Sequence, residues 1–268
     1  MNDDDILIVD NVTKIFKQRG KKEGNVVLEN LSFSVSKKEF ICLVGPSGCG
    51  KTTLLSIIAG FMPISSGAVY VGGNKVTKPA VDRGFVFQGY ALFPWMSVEE
   101  NILYPLKLKK ASAAEKKERL EYLLNLSQLT QSAKKYPKEL SGGMKQRVAV
   151  MRALAANPEV LLLDEPLAAV DFQMRQHMQE ELKELLDRAG STAIMVTHDV
   201  EEAIFMGSRV IVMTPDKGKP LADYPIELKN PPDRSSREYR DYVGRLTEYL
   251  TEAFYMGKGK EIEKLKAI

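Results

Sequence analysis

The sequence has few of the residues that mark several common classes of protein. Its 268 residues include two cysteines, two histidines and one tryptophan. The cysteines are Cys42, in a predicted strand, and Cys49, in a glycine-rich loop. These two positions do not suit a disulfide framework. A reducing cytosol is therefore expected. No apolar run approaches the ~18 residues that a membrane span needs, and the acidic residues 3–5 are unlike a signal peptide.

Strong charge of either sign is also missing. The formal net charge is +3 and the sequence pI is about 8.6, which is too mild to predict a nucleic-acid partner. The apolar fraction of 44% and the charged fraction of 27% are ordinary for a globular protein. A chain of this length can bury one large or two small cores. If it works at a membrane, it must dock on something that spans it.

One glycine-rich stretch, residues 45–52, organises the chain. It has the spacing G-x-x-x-x-G-K-[ST], follows the apolar run 40–44, and opens a helix that Gly60 closes. Its glycines allow backbone N–H groups to converge on an anion, and the helix N-terminus adds free donors. A chance glycine turn is the alternative. The predicted nucleotide-binding residues here are Gly45, Pro46, Ser47, Gly48, Cys49, Gly50, Lys51, Thr52 and Thr53.

Three side chains of this stretch have separate expected contacts. Lys51 is expected to reach the β- and γ-phosphates, and Thr53 to touch the α-phosphate side. Thr52 is expected to hold Mg²⁺ through its hydroxyl. ATP and Mg²⁺ are thus the predicted cofactors.

Two further residues stand at predicted strand ends. Phe16 precedes a polar loop and can either stack on an adenine ring or serve as a core aromatic. Gln88 follows the predicted strand 84–87, where a buried glutamine needs a polar partner such as metal-bound water. A simple polar residue at a strand end is the alternative for Gln88.

The segment 89–158 is predicted to be helical. Capping boxes begin at Ser97 and Ser112, and Ser141 is a plausible N-cap for a helix that runs to residue 156. The next two residues, Gly142 and Gly143, lower helix stability, which is useful only if something approaches the backbone closely. A glycine-rich cap with no ligand is the alternative.

Two carboxylates follow a fully apolar predicted strand, 160–163. Because ligands bind at strand ends in open α/β sheets, Asp164 is expected to join the Mg²⁺ shell, and Glu165 to orient or deprotonate a water. His198 follows the next strand, and Asp199 is expected to cap the helix 200–206. The other histidine, His177, is predicted to be structural.

The remainder of the chain is predicted to contain one more strand and one long helix. Residues 209–213 are expected to be the last strand. Helical spacing covers residues 235–256 and is predicted to end at Gly257. The stripe on this helix is expected to pack on the core or on its copy in a dimer.

The order of these motifs resembles the ATP-binding cassette (ABC) ATPases over residues 6–215. The most specific element is Leu140-Ser141-Gly142-Gly143, the signature motif of that family. The resemblance implies an α/β fold with a P-loop NTPase (RecA-like) core, an antiparallel β subdomain, an inserted helical subdomain and a C-terminal helical extension. The implied boundaries are 1–225 for the ATPase domain, with helices at about 89–158, and 226–268 for the extension.

The resemblance also implies a role for each motif residue. The predicted catalytic residues are Glu165 as base, His198 as switch and Gln88 of the Q-loop. The predicted metal ligands are Thr52, Gln88 and Asp164. Beyond the P-loop, the nucleotide is expected to contact Phe16, Ser141, Gly142, Gly143 and the D-loop residue Asp171. The family works as a head-to-tail dimer, in which the signature residues face the other subunit's nucleotide.

Several stretches resemble the importers for nitrate, sulfonate and taurine, namely residues 87–95, 140–153 and 178–182. This likeness implies a homodimer, transmembrane permease subunits, indirect action with a solute-binding protein, and a place at the cytoplasmic face of the membrane. Polyamine and pyrimidine-precursor importers share much of the pattern. The alternative is a soluble ABC ATPase of the iron–sulfur assembly type, which usually has Glu and Lys at the positions of Met144 and Gln146.

One stretch departs from the family and another predicts a docking surface. Residues 167–171 read Leu-Ala-Ala-Val-Asp, where Phe-Gly-Ala-Leu-Asp or Leu-Ser-Ala-Leu-Asp is usual, so details of the dimer contact and of turnover are open. The loop 89–95 is apolar and aromatic and contains Trp95, the single tryptophan. It is expected to receive a short helix of the permease, with packing on its own helices as the alternative. The sequence does not name the solute.

Overall fold

The structure, a computed structural model, describes residues 4–17, 24–168, 170 and 172–266, with only the backbone for 172, 173 and 257–266. The strands of this part are β1 (Asp5–Phe16), β2 (Asn25–Ser36), β3 (Phe40–Val44), β4 (Ser66–Val71), β5 (Asn74–Lys75), β6 (Arg83–Val86), β7 (Val160–Asp164), β8 (Ala193–Val196), β9 (Arg209–Met213) and β10 (Pro220–Pro225). The helices are α1 (Lys51–Ile58), α2 (Val98–Leu108), α3 (Ala113–Leu126), α4 (Gly142–Leu154), α5 (Phe172–Ala189), α6 (Val200–Met206) and α7 (Arg237–Lys266). Short 3-10 helices cover Thr130–Ser132 and Pro137–Glu139.

The chain divides into two compact units. The first contains Met1–Pro79 and Ile194–Ile268, and the second contains Ala80–Ala193. In the described residues no helix combines the length and the apolar character that a membrane crossing requires.

Two groups of strands build the first unit. An antiparallel sheet has the order β2-β1-β4-β5, and the strands that carry the P-loop have the order β10-β9-β3-β8. β3 pairs with β9 in parallel and all five of its residues are buried, as expected for a strand covered on both faces. The expectation that Arg209–Met213 is the last strand is wrong, because β10 pairs antiparallel with β9. Prolines at both ends of β10 suit an edge strand and concealed it in the sequence.

The second unit joins a parallel strand pair to the helical segment. β6 pairs with β7 from Arg83 opposite Val160 to Val86 opposite Leu163. The predicted capping boxes at Ser97 and Ser112 are confirmed, since each hydroxyl accepts from the N–H three residues on. The α4 C-terminus is closed by α3, because the Arg119 guanidinium donates to the Leu154 carbonyl at 2.7 Å.

The C-terminal helix packs on the first unit. Tyr239, Leu246 and Ala253 are buried at seven-residue steps, and α7 contacts α6, β9 and β10. The Tyr239 hydroxyl donates to the Glu201 carbonyl at 2.9 Å, and burial raises the pKa of Tyr239 to about 12. The predicted helix end at Gly257 is wrong, because α7 continues to Lys266. The expectation that the apolar stripe of this helix packs on the core of its own chain is thereby confirmed.

Truncating the buried side chain at the centre of this stripe is expected to destabilise the protein. Leu246→Ala should lower the free energy of unfolding by about 2–5 kcal/mol, because it leaves a cavity that the neighbours fill only in part. Phe254→Ala is the matched control on the same helix, since Phe254 is 48% exposed, and its effect should stay below about 1 kcal/mol. Urea unfolding measures both. Equal effects of the two substitutions would contradict the packing described here.

Candidate nucleotide-binding site

The P-loop lies in the first unit between buried strand β3 and helix α1. Gly48 has φ 80°, in the left-handed region that other residues rarely adopt. Gly45 is required for a different reason, since a Cβ there would lie 2.4 Å from the Met213 carbonyl oxygen. The loop thus turns tightly against the end of β9 and delivers the chain to the α1 N-terminus.

Lys51 is the first residue of α1 and is almost fully buried. Its ammonium donates to the carbonyl oxygens of Gly45 at 2.7 Å and Pro46 at 3.1 Å. The positive charge is therefore held within the glycine loop at a helix N-terminus, where anions are stabilised. Thr52 is exposed and Thr53 is half-buried on the first turn.

The cysteine of the loop is a packing residue. Cys49 is buried and its Sγ lies 3.7 Å from the Lys51 Nζ. Burial raises the pKa of the Cys49 thiol, and the Lys51 charge opposes this. A neutral, enclosed thiol is a poor nucleophile. Neither Cys49 nor Cys42 forms a disulfide.

Phe16 and His198 also belong to the first unit. Phe16 ends β1 and is 38% exposed, so it is not a core aromatic, and the Lys14 ammonium lies 4.9 Å from its ring centroid. His198 is exposed, and it follows Thr197, whose position is fixed by hydrogen bonds. The Thr197 N–H donates to the Leu43 carbonyl at 3.1 Å, and the Thr197 hydroxyl bonds the buried Glu202 carboxylate.

The helix after His198 begins as expected. The Asp199 carboxylate accepts from the Glu202 N–H at 3.1 Å, which caps α6, and Gly207 stands at its C-cap. The cap satisfies a donor that would otherwise be free at the helix N-terminus. The position of His198 relative to the sheet is therefore set by bonds on both sides of it.

The second unit carries the other predicted site residues. Asp164 is the last residue of β7, and Glu165 follows with φ 44°. The prediction that a strand runs to residue 87 and buries Gln88 is wrong, because β6 ends at Val86 and Gln88 is an exposed turn residue. Gln88 therefore has no need of a polar partner for burial. Asp171 lies outside the described residues.

The signature motif forms the N-terminus of α4. Ser141 is the N-cap, and its hydroxyl accepts from the Met144 N–H at 3.3 Å. A Cβ on Gly142 would meet nothing closer than the Tyr90 hydroxyl at 3.6 Å, so the packing of this unit does not require glycine there. Ser141, Gly142 and Gly143 line a cavity of about 320 Å³. The bare backbone is thus open to a ligand from outside.

The loop 89–95 is held in shape by two side chains that sequence reasoning missed. Arg152 donates to the carbonyls of Ala91 at 2.7 Å and Tyr90 at 3.1 Å. The buried Asn101 amide donates to the carbonyls of Phe93 and Met96 and accepts from the Phe93 N–H. Arg152 is 61 residues from Ala91 in the chain, so no local pattern points to it. Asn101 is only 8 residues from Phe93, but a single asparagine in a helix does not by itself indicate this bond.

An apolar groove lies beside this loop in the second unit. Its volume is about 420 Å³, and the residues that line it include Phe85, Phe87, Phe93, Tyr104, Pro105 and Leu108. Phe93 packs on Tyr104 with ring centroids 4.7 Å apart, whereas Trp95 is 69% exposed. Packing on the unit's own helices therefore accounts for Phe93 and not for Trp95.

A strand, a glycine loop and a helix that begins with a buried lysine define a P-loop nucleotide-binding protein. The family model described as ABC transporter matches residues 28–168, and the chain belongs to this family. The predicted family, α/β P-loop fold and ATPase activity are thereby confirmed.

The chain is similar to two curated import proteins. It is 44% identical to the aliphatic sulfonates import ATP-binding protein SsuB of Bacillus subtilis, over 85% of this chain and 87% of that protein. It is 42% identical to the nitrate import ATP-binding protein NrtD of a Synechocystis species, over 93% of this chain and 94% of that protein.

A solved structure is also similar. The chain matches the dimeric structure of the ATP-binding cassette MJ0796 in a post-hydrolysis state bound to ADP and Pi, with a TM-score of 0.68 and 33% identity. The match covers 82% of this chain and 99% of that one. The roles of the individual site residues remain predictions.

Proposed function

We propose that this chain is the ATP-hydrolysing subunit of an importer for a small solute of the nitrate, sulfonate or taurine type. It acts through a separate transmembrane permease at the cytoplasmic face of the membrane, with a solute-binding protein as an indirect partner. The observation that carries the proposal is the P-loop with its enclosed Lys51, in a chain that also presents an open signature helix and an apolar groove. The names of the similar import proteins support the solute class.

The residues of the described site fit a magnesium nucleotide. Lys51 offers a fixed positive charge for the β- and γ-phosphates, and the turn at Gly48 orients backbone donors. Thr52 of the first unit offers a hydroxyl oxygen, a ligand of the kind that Mg²⁺ prefers. Asp164 of the second unit stays a predicted ligand. In the described residues no cluster of three or more His, Cys, Asp and Glu side chains could hold a metal. Magnesium would accordingly share its coordination with phosphate oxygens, as is usual for this ion.

A homodimer completes the proposed catalytic unit. Gly142 is exposed and its backbone N–H lies in the first turn of α4. N–H groups there have no partner within the helix and can donate to an anion. The partner subunit's γ-phosphate is the proposed occupant, and the dimeric state of the similar cassette supports this arrangement.

The apolar groove and Trp95 are the proposed docking surface for the permease. An exposed tryptophan next to an aromatic groove is typical of an interface anchor. The loop is held by Arg152 and Asn101, so little ordering is needed when a partner binds. A short amphipathic helix of the permease is the proposed occupant, because a helix in an apolar groove is a common recognition mode.

Removing the Trp95 side chain is expected to weaken assembly with the permease. Trp95→Ala should lower the amount of membrane-spanning permease that copurifies from the native membrane by about tenfold or more, as for a central interface aromatic. Mass spectrometry identifies the copurified subunits, and uptake of nitrate and of an alkanesulfonate in the same cells should fall in parallel. Basal ATP hydrolysis by the isolated subunit should persist.

The matched control is Tyr255→Ala, which removes an aromatic of similar exposure, 66%, from α7. It should leave permease recovery and uptake at the wild-type level. Unchanged assembly of the Trp95→Ala protein, or loss of its basal hydrolysis, would contradict the docking assignment. Recovery of wild-type protein with a cytosolic partner and no permease would instead favour the iron–sulfur assembly class.

A further inference from the structure

A buried lysine lies behind the predicted adenine-stacking residue. Lys14 is only 8% exposed, although an unpaired buried ammonium is costly. In the part of the chain that the structure describes, its Nζ donates to the Pro63 carbonyl at 2.6 Å and lies 4.9 Å from the centroid of the Phe16 ring. The ammonium therefore covers a face of the same aromatic ring that is proposed to receive adenine.

The strand end that carries Phe16 is tied to the segment that follows the P-loop helix. Besides the Lys14 bond to Pro63, the Ser65 N–H donates to the Thr13 carbonyl at 2.9 Å. The Ile15 N–H donates to the Ser65 hydroxyl, also at 2.9 Å. Residues 59–65 lead directly from the C-terminus of α1, whose N-terminus is the P-loop. These bonds connect the strand end that carries Phe16 with α1, the phosphate-binding helix, through residues 59–65.

The charge on Lys14 has a chemical consequence for Phe16. Aromatic faces carry partial negative charge, so two rings that stack face to face repel one another electrostatically. A cation on one face is attracted to the ring electrons and draws them away from the opposite face. Adenine stacked on that opposite face then meets less repulsion. The fixed ammonium also limits the orientations that the ring can adopt.

We propose that Lys14 is a positioning residue for nucleotide binding, which polarises and orients the Phe16 ring for stacking on the base. This inference rests on the proposed role of Phe16. The competing explanation is a purely structural lysine whose aliphatic stem fills the strand end and whose ammonium reaches one carbonyl. The two explanations predict different effects of removing the charge. If Lys14 positions the ring, only the contribution of the base to binding is lost. If Lys14 is structural, binding of the whole ligand is weakened.

The test compares two ligands, one with a base and one without. Lys14→Met keeps the length of the side chain and removes the charge. The dissociation constant for MgATP, measured by calorimetry on the whole chain, should rise about three- to tenfold, as for a partly desolvated cation–π contact. The dissociation constant for magnesium tripolyphosphate, which has no base, should not change. Lys14→Arg, which keeps the charge, should bind both ligands as the wild type does.

Controls separate the charge from the tether and from the role of Phe16. Ser65→Ala removes a bond of the same tether without removing a charge, and should leave MgATP affinity close to that of the wild type. Phe16→Leu should weaken MgATP alone, and adding Lys14→Met to Phe16→Leu should cause no further loss. Thermal unfolding of each variant verifies that the protein is folded.

Each contrary result overturns a specific part of the inference. If Phe16→Leu leaves MgATP affinity unchanged, the stacking role itself is wrong. If Phe16→Leu weakens MgATP and Lys14→Met does not, the role of Lys14 alone is wrong. Equal losses for MgATP and tripolyphosphate in Lys14→Met, an equal MgATP loss in Ser65→Ala, or failure of both Lys14 variants to fold would identify a structural lysine.

Discussion

Replacing Glu165 by glutamine is expected to lower ATP turnover by about a hundredfold or more, with MgATP affinity within a few fold of wild type. Glutamine keeps the shape of the side chain and loses the carboxylate that can accept a proton from the attacking water. Turnover falls because the base is missing, whereas the phosphate contacts of Lys51 are unaffected. The nucleotide-bound dimer should therefore accumulate, and size-exclusion chromatography in MgATP measures it.

The backbone at Glu165 supports a functional role for this side chain. Its φ of 44° lies in the left-handed region, which is uncommon for residues other than Gly, Asn, Asp and His. Such a conformation costs of order 1 kcal/mol and persists where the surroundings enforce it, often at functional sites. The preceding residue, Asp164, ends a buried parallel strand.

The control for this prediction is Glu159→Gln, the same chemical change just before the other end of β7. Glu159 is exposed, and its replacement should leave turnover unchanged. Lys51→Ala is a second comparison, and it should lose nucleotide affinity because the phosphate charge is no longer compensated. Turnover of the Glu165→Gln protein within a few fold of wild type would show that another group activates the water.

Local features of the fold were predictable because their causes lie within a few residues. Ser97 and Ser112 each bond a backbone N–H three residues on, and Asp199 does the same for Glu202. In each case the cap and its partner occupy one turn of helix, so the sequence carries the whole interaction. The apolar residues of α5 recur at helical spacing and are buried, namely Met178, Leu182, Leu185 and Leu186.

Features that depend on distant partners were not predictable. The β10 strand is specified by pairing with β9, and its own prolines and half-exposed pattern resemble a loop. The end of α7 was misplaced because Gly257 has a low helix propensity, which the continuing helix overrides. Lys14 and Pro63 are 49 residues apart in the chain, and neither residue alone indicates the other.

The features of the candidate site also divide into those that local sequence predicts and those that depend on the fold. The motif residues can be predicted from spacing, because a P-loop and a signature helix have strict local requirements. Their environments cannot, as Gln88 illustrates: it is exposed beyond the strand end rather than buried at it. The openness of Gly142 follows from the position of Tyr90, which is 52 residues earlier in the sequence (142 − 90). Only the folded unit shows that its own packing does not require glycine there.

Gly142→Asp is expected to abolish hydrolysis while each monomer still binds one ATP. The proposed head-to-tail dimer places this backbone beside the partner subunit's γ-phosphate. A carboxylate there faces a like charge in a poorly solvated interface, which costs several kcal/mol. Calorimetry measures binding by the monomer, and phosphate release measures hydrolysis.

The structure predicts that this substitution does not harm the monomer. A Cβ on Gly142 would contact the Tyr90 hydroxyl at an ordinary 3.6 Å. An acidic residue in the first turn of a helix is stabilising by about 0.3–1 kcal/mol. Urea unfolding should therefore find the variant at least as stable as the wild type. A marked loss of stability would mean that the substitution acts within its own unit.

Two further proteins separate charge from size and one subunit from the other. Gly142→Asn has the same size without the charge, so it should retain more hydrolysis than Gly142→Asp. Mixing Gly142→Asp with Lys51→Ala subunits should restore activity, because one of the two sites in a heterodimer then combines an intact P-loop with an intact signature helix. The second site carries both defects and stays inactive. Full hydrolysis by Gly142→Asp alone, or no recovery on mixing, would refute the trans arrangement.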